Sequence, residues 1–408
     1  MNILYISYDG MTDQLGQSQV IPYLIRLSKK HTITLISCEK KDKLYQDNNE
    51  TKNILKNSKI DWHPVIYTLK PPILSTIYNI KKIKNKIFKL NNLHQIEIVH
   101  CRSYIPALIG LYLKKKLNIK FIFDMRGFWP DERIESNLWN IKNPVFKIIY
   151  TFFKHKEKKF LSQADYVISL TQNAKNEILK RKDISTQPVP IKVIPCCVDT
   201  VLFSEQNVNI QKKKYYKKIF NISENDFVIS YLGSLSTWYM PEQMLKFFKQ
   251  ITLKYHNAKL MFITKEPEKL ILNLLKKNNI SDKKIIIIQA RRNEVPVLLS
   301  LSKVSIFFIK PVFSKKASSP TKMGEIMSMG IPIICNAGTG DTDKIINDTK
   351  TGFIIDKLNN DEYGKAIDSI ESLLSISHKK IRETAIKYFS IDKAIESYNN
   401  IYEIVGEK

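Results

Sequence analysis

The sequence predicts an α/β protein built from two successive parallel-sheet units. Three observations carry that prediction. Short β-rich apolar runs alternate with helix-spaced stretches from the first residues to about residue 195. The alternation gives way to a polar, Lys-rich segment at about 207–225 and then restarts. Each half opens in the same order, with a strand, a Gly-containing loop and a helix.

Each element follows from its pattern. Residues 2–7 form a β-rich run, 9–19 a loop holding Gly10 and Gly16, 20–30 a stretch of helical spacing and 31–37 a second strand. Strands at 96–100, 120–124, 166–170 and 192–195 then alternate with helices at 105–116, 145–162 and 172–180. The second half has a strand at 227–232, a loop at 233–240, a helix at 241–254 and a strand at 259–264. Strand–helix pairs follow at 285–289/294–302, 304–309/320–329 and 331–335/342–347. This is the pattern of two Rossmann-like domains, 1–200 and 201–390, followed by a C-terminal helix at 391–408. Tyr398 and Tyr402, four residues apart, read as a packing stripe, and the helix is expected to pack back on the first domain. Open sheets of this kind bind ligands beyond the carboxyl ends of their strands. Two such domains facing each other are expected to enclose a cleft.

Composition narrows the function classes. The chain has 408 residues and is 43% hydrophobic, which excludes a mainly disordered protein. No apolar run approaches the ~18 residues of a membrane span, and the N-terminus lacks the basic region of a secretory signal. Five Cys without metal-ligand spacing fit a reduced, cytoplasmic protein. The net charge is +26. Much of it fits codon bias, since Lys, Ile and Asn are all abundant. Residues 70–160 nevertheless hold 19 Lys and Arg against 6 Asp and Glu, half of the excess. A basic face on the first half suits an anionic surface, whether phospholipid, phosphorylated acceptor or nucleic acid.

The segment 318–334 is the most informative. Ser319 suits an N-cap, Pro320 a first helical position and Gly330 a helix stop. The helix N-terminus beyond strand 304–309 suits a phosphate, and Lys322 adds a full charge there. Glu325, a turn further on, can accept two hydrogen bonds from a ribose diol. From spacing alone, a capped surface helix with an incidental Glu–Lys pair is the better-supported reading. In the first half, apolar Phe121-Ile122-Phe123 runs straight into Asp124, with Arg126 two residues on. Asp124 and Arg126 are candidates for the reacting centre, Asp124 for an acceptor hydroxyl and Arg126 for an anion. A structural pair bracing the loop is the alternative. His100 reads as a satisfied structural histidine, and Cys196-Cys197 as inert.

These segments together resemble the GT-B glycosyltransferases, in particular retaining family 4 (group 1). Glu325 stands where that family places the Glu that holds the donor ribose. Gly16-Gln17-Ser18-Gln19 resembles its first Gly loop, on the acceptor side. Val99-His100-Cys101-Arg102, Ala164-Asp165-Tyr166-Val167, Val193-Ile194-Pro195 and Thr351-Gly352-Phe353 resemble further family signatures in the same order. The resemblance spans about residues 2–405. It implies a donor site of Gly233, Ser234, Arg291, Ser319, Lys322 and Glu325, no metal and no cofactor. Two departures stand out. A second family Glu is replaced by Ala317. The Arg and Lys that often follow the Gly opening the second domain are absent from Ser234-Leu235-Ser236-Thr237-Trp238-Tyr239. Lys322, Arg291, Arg292, Lys315 and Lys316 are then the cations left for a diphosphate. Asp341-Thr342-Asp343 resembles a divalent-cation motif of another glycosyltransferase fold, but here it follows a Gly turn into a helix.

The resemblance implies a metal-independent enzyme that moves a sugar from a nucleotide-sugar donor to a glycan or lipid-linked acceptor. Surface polysaccharide or glycolipid synthesis and retention at the anomeric carbon are the expected context. A nucleotide-sugar epimerase of the same fold is the enzyme alternative, and a basic nucleic-acid-binding protein the alternative of another class. No nucleic-acid-binding motif occurs, so nucleic acid is not an expected partner. An anionic membrane surface is expected, at the inner face of the cell membrane. Lys81, Lys82, Lys84, Lys86 and Lys89 form one basic cluster, and Lys147, Lys154, Lys158 and Lys159 a second. The apolar stripe Val145, Ile148, Ile149, Phe152 and Phe153 is expected to pack on the first sheet.

Overall fold

A computed structural model describes residues 1–46, 48–90, 93–184, 189–235 and 237–407. The first sheet contains β1 (Asn2–Ser7), β2 (Thr32–Glu39), β3 (Ile60–Ile66), β4 (Ile98–Arg102), β5 (Lys120–Asp124), β6 (Tyr166–Ser169) and β7 (Ile191–Val193). Its order is β3-β2-β1-β4-β5-β6-β7, with every pairing parallel. The second contains β8 (Phe227–Leu232), β9 (Ala258–Ile263), β10 (Ile285–Ile288), β11 (Val304–Phe307), β12 (Ile333–Asn336) and β13 (Gly352–Ile355). Its order is β10-β9-β8-β11-β12-β13, again parallel throughout. Parallel strands covered on both faces are apolar along their length, as in fully buried β8 and β11. In each sheet the strand order reverses beside the opening strand, between β1 and β4 and between β8 and β11. Ligands of doubly wound sheets sit at that switch point, and the two Gly loops follow β1 and β8.

Two compact units result. One is Met1–Pro195 with Ile391–Lys408, the other Cys196–Ser390. The terminal helix Ile391–Gly406 belongs to the first unit. Tyr398 packs edge-on against Tyr23, Tyr402 against His31 and His100, and Asp392 pairs with Arg26.

Local departures from the sequence reading have physical causes. Residues 9–19 are not all loop, because Gln14–Gln19 is helical. The chain breaks at Val20 and resumes as helix Ile21–Leu27, where Pro22 in the first turn supplies no backbone donor. The strand Ile60–Ile66 escaped the pattern because Asp61, His63 and Pro64 interrupt its apolar residues. It pairs only with β2, and an edge strand tolerates proline. The Lys-rich segment contains helix Ile210–Ile219, capped by Asn209, with too few apolar residues to show a stripe.

Helix Pro144–Gln163 corrects a larger expectation. Its apolar stripe does not pack on the sheet as a whole. Phe153 is buried, but Val145, Ile148 and Phe152 are 49%, 69% and 44% exposed. Lys154 turns inward to Asp131 at 2.9 Å and Glu157 at 2.8 Å. Glu157, fully buried, also takes Arg181 and the Tyr104 hydroxyl. A buried carboxylate needs this many donors, and Lys154 is held as one of them.

Candidate functional site

The second unit gathers most of its candidates around one buried lysine. Helix Thr321–Ser328 begins beyond the carboxyl end of β11. Its cap differs from expectation: Pro320 occupies the N-cap, one residue later than predicted. The Ser319 hydroxyl instead accepts from the Cys196 N–H at 3.1 Å, tying the helix entrance to the start of this unit. Lys322, in the first turn, is 6% exposed. Its Nζ donates to the Tyr231 hydroxyl at 3.2 Å and lies over the rings of Tyr231 and Tyr239, 4.3 and 3.7 Å from their centroids. The Tyr231 hydroxyl in turn donates to the Ser234 carbonyl.

Gly233 follows β8 with φ +117°, and a Cβ built there would lie 2.8 Å from Lys322 Nζ. A side chain at that position would be strained and would strike the ammonium. Gly233, Ser234 and Lys322 are therefore brought together, although 88 residues separate the first and last in sequence. Ser236, in the same loop, lies outside the described residues. Burial pushes the Lys322 pKa well below that of a free lysine, and the Glu325 charge only partly opposes it.

Glu325 is buried on the same helix, and its Oε1 accepts from Arg292 Nη1 at 2.7 Å. The guanidinium also lies over the Phe203 ring, 5.2 Å from its centroid. The contact with Glu325 thus belongs to Arg292. Arg291 has an exposed side chain, and its N–H binds Glu294. Lys315 is buried with its ammonium 3.7 Å above the Trp238 ring. Asp343 accepts from the Gly338 N–H at 2.9 Å, as a brace for the preceding Gly turn.

In the first unit, the Gly loop is locked by a residue that the sequence reading did not single out. Glu39 ends β2 and is fully buried. Its carboxylate accepts from the N–H groups of Met11 and Thr12 at 2.6 and 3.2 Å and from the Thr12 and Ser37 hydroxyls at 2.7 and 2.5 Å. An acidic residue after an apolar run was the signal used at Asp124, and it would have found Glu39 as well. Gly16 packs onto the same loop, where a Cβ would fall 2.2 Å from the Gly10 carbonyl oxygen. The Gln17 amide donates to the Met11 carbonyl at 2.8 Å and to Thr51 at 3.0 Å, so its N–H groups hold the loop.

Asp124 and Arg126 stand at the end of β5, as expected from the apolar run before them. Asp124 is fully buried, facing His100 Nε2 at 3.6 Å and Arg126 Nη1 at 3.8 Å. Among the described residues, neither carboxylate oxygen has a hydrogen-bond donor within normal distance. Arg126 has φ 56°, uncommon for a non-glycine residue, and is the partly exposed member of the pair. Burial works to raise the Asp124 pKa, but Arg126, His100 and Arg102 outweigh it and hold the carboxyl below the usual range. Burial also lowers the His100 pKa, leaving a neutral imidazole. Arg102, beside Asp124 in the β4–β5 register, pairs with Asp9 at 3.3 Å.

Comparisons with known proteins bear on the family and the fold. Residues 17–202 match Glycosyltransferase Family 4, and residues 212–388 match Glycosyl transferases group 1. The chain belongs to the group 1 glycosyltransferases. Its fold is GT-B. Sucrose-phosphate synthase from Thermosynechococcus elongatus superposes with TM-score 0.71 at 14% identity, over 99% of this chain and 98% of that one. A glycosyltransferase from Rickettsia africae gives 0.70 at 20% identity, over 99% and 98%. Anabaena HepE, in complex with UDP and glucose, gives 0.69 at 12% identity, over 99% of both chains. No curated protein matches this glycosyltransferase in sequence.

The buried lysine of this glycosyltransferase gives a pH prediction. If a diphosphate binds beside Lys322, its negative charge raises the lysine pKa from the depressed value of the free protein. Binding then takes up a proton at any pH between the free and bound values. Affinity for a nucleoside diphosphate must therefore fall as pH rises through that window, by at most about tenfold per pH unit. The measurement belongs above about pH 7, where the terminal phosphate is fully ionised. In Lys322→Met the affinity should be weaker and its pH dependence flat. A slope that survives in the variant would assign it to another group.

Proposed function

We propose that this glycosyltransferase moves a sugar from a nucleotide-sugar donor to a glycan or lipid-linked acceptor, with retention at the anomeric carbon. The second unit binds the donor through Gly233, Ser234, Lys322 and Glu325, and the first unit presents the acceptor edge at Gly16, Gln17, Asp124 and Arg126. The observation that carries the donor side is the Lys322 ammonium, buried with no ion pair among the described residues, against the glycine that leaves room beside it. A buried cation so placed offers its charge to an incoming anion at little reorganisation cost. Lys322 stabilises the departing diphosphate as its charge grows. Glu325 accepts from the ribose hydroxyls, which compete with Arg292 for the same carboxylate. Arg292 is then released toward the nucleotide, where it replaces the basic residues missing after Gly233.

Named relatives support the donor class. HepE has been solved with UDP and with UDP-glucose. The synthesis of a surface polysaccharide or glycolipid is supported by similarity to WaaG, a glycosyltransferase of lipopolysaccharide biosynthesis, with TM-score 0.65 and 12% identity. No described helix is long and apolar enough to cross a membrane. A lipid-linked acceptor would nevertheless bring the first unit to a membrane surface, and the outward side of helix Pro144–Gln163 suits that contact. Val145, Ile148 and Phe152 are exposed on this helix, the Lys156 ammonium lies 5.3 Å from the centroid of the Phe152 ring, and Lys147 is exposed on the same element. Helix Leu74–Ile87 adds exposed Leu74, Ile77 and Tyr78, with Lys81 and Lys86 on the same element. Each basic residue near an anionic leaflet contributes about 1 kcal/mol, and a buried aliphatic side chain about 1.5–3 kcal/mol.

A thermal-shift screen against UDP, GDP, CMP, ADP and their sugar conjugates tests the donor reading. One nucleotide should stabilise the protein by roughly 2.7 kcal/mol at about 100 times its dissociation constant. Glu325→Ala should lose most of that shift and lower turnover by about tenfold or more, since each charge-assisted bond contributes about 1.5–3 kcal/mol. Full donor kinetics in folded Glu325→Ala would remove Glu325 from the site. For the membrane contact, the protein should pellet with anionic vesicles more than with neutral ones. Ile148→Ser/Phe152→Ser should weaken that pelleting, and salt near 1 M, where screening reaches about 3 Å, should reduce it further. Equal pelleting with both lipids, or with neither, contradicts this contact.

A further inference from the structure

The C-terminal helix brings a tyrosine to the interior of the first unit's candidate acceptor edge. Tyr402, 1% exposed, sets its hydroxyl 2.7 Å from His100 Nδ1. His100 lies on β4, wholly buried, between the rings of Tyr5 and Tyr398 at centroid distances of 4.6 and 5.6 Å. Its other nitrogen, Nε2, faces Asp124 Oδ2 at 3.6 Å. Tyr402, His100, Asp124 and Arg126 thus form a line from the terminal helix to the end of β5.

The chemistry of these groups fixes the direction of the protons. A neutral imidazole has one N–H and one lone pair. An ionised carboxylate only accepts, so the N–H must be on Nε2, toward Asp124. Nδ1 is then the acceptor, and the Tyr402 hydroxyl must donate to it. The Nε2–Oδ2 distance is longer than a hydrogen bond by about 0.5 Å, so a small rotation of the ring decides whether Asp124 is bonded or orphaned. A buried carboxylate without a donor is costly, and among the described residues both Asp124 oxygens lack one. The group that holds the ring therefore controls how firmly Asp124 is held, and Arg126 Nη1 stands 3.8 Å from the same carboxylate.

We propose that Tyr402 is a positioning residue of the transferase. Its hydroxyl holds His100 as the Nε2–H tautomer, braced toward Asp124, so that the terminal helix orders the acceptor edge without touching the acceptor. This inference rests on the reading that puts Asp124 and Arg126 at the reacting centre. It also gives the terminal helix a role in catalysis beyond closing the core.

Nitrogen NMR of the histidine rings, with His100 assigned by its loss in His100→Gln, reads the relay directly. The full-length protein should show His100 with Nε2 protonated and Nδ1 bare. In Tyr402→Phe the Nδ1 resonance should move toward that of a lone pair without a donor. The same variant should lose about tenfold in kcat for transfer, while the donor KM stays within about twofold, as expected for one buried hydrogen bond. A protonated Nδ1, or an Nδ1 resonance unmoved in Tyr402→Phe, overturns the relay. Normal kcat in Tyr402→Phe with the resonance moved overturns the positioning role. Asp124→Asn separates the underlying reading: full transfer in that variant overturns the place of Asp124 at the reacting centre, and the inference with it, whatever the NMR shows.

Discussion

Lys322 carries an ammonium group into the interior of the second unit, and among the described residues no carboxylate lies within ion-pairing distance of it. Much of the donor side depends on that constraint. An unpaired buried charge is expensive, and here two tyrosine faces and one hydroxyl offset only part of the cost. Glu325 could have neutralised it from the same helix, but that carboxylate is taken by Arg292. The site therefore keeps one cation in reserve and one carboxylate occupied. The loop after β8 fits the same need, because Gly233 leaves open the space that any Cβ would fill. In the proposed donor mode a diphosphate would supply the missing counter-charge, and a ribose would supply hydroxyl donors to the carboxylate.

The first unit uses the opposite device, buried carboxylates at the ends of apolar strands. Glu39 is saturated with four donors and makes the Gly10–Thr12 turn rigid. Among the described residues Asp124 is left short of donors, and it depends on Arg126 and Arg102 for charge compensation. One acidic group thus fixes a loop, while the other stays responsive to what surrounds it. Both stand at carboxyl ends of parallel strands, where peptide dipoles and loops converge.

Much of this was legible in the sequence. The strand–loop–helix alternation located both sheets, because parallel strands buried on both faces leave largely apolar runs. Lys322 and Glu325 were visible as charges on the first turns of a helix beyond a strand. Their environment was not visible: the tyrosine cage comes from β8 and its loop, some ninety residues earlier. Arg292 was indistinguishable from Arg291 until the backbone turned one inward and the other out. Tyr402 read as packing, and it does pack, but its hydroxyl also meets His100 about three hundred residues away in sequence. Helical spacing found the apolar stripe at 145–153 and could not say which side faced water. Glu157, hidden among lysines, draws Lys154 and Arg181 inward and so sets that rotation.

The most direct test of the central claim is calorimetric titration with the nucleoside diphosphate that binds, in buffers of different ionisation enthalpy at one pH above neutrality. If Lys322 supplies the counter-charge and an arriving diphosphate raises its burial-depressed pKa, the observed heat will vary with the buffer and correspond to net proton uptake. That dependence will vanish in Lys322→Met. Heats independent of buffer in the wild-type protein, or a buffer dependence that persists in Lys322→Met, would contradict the account.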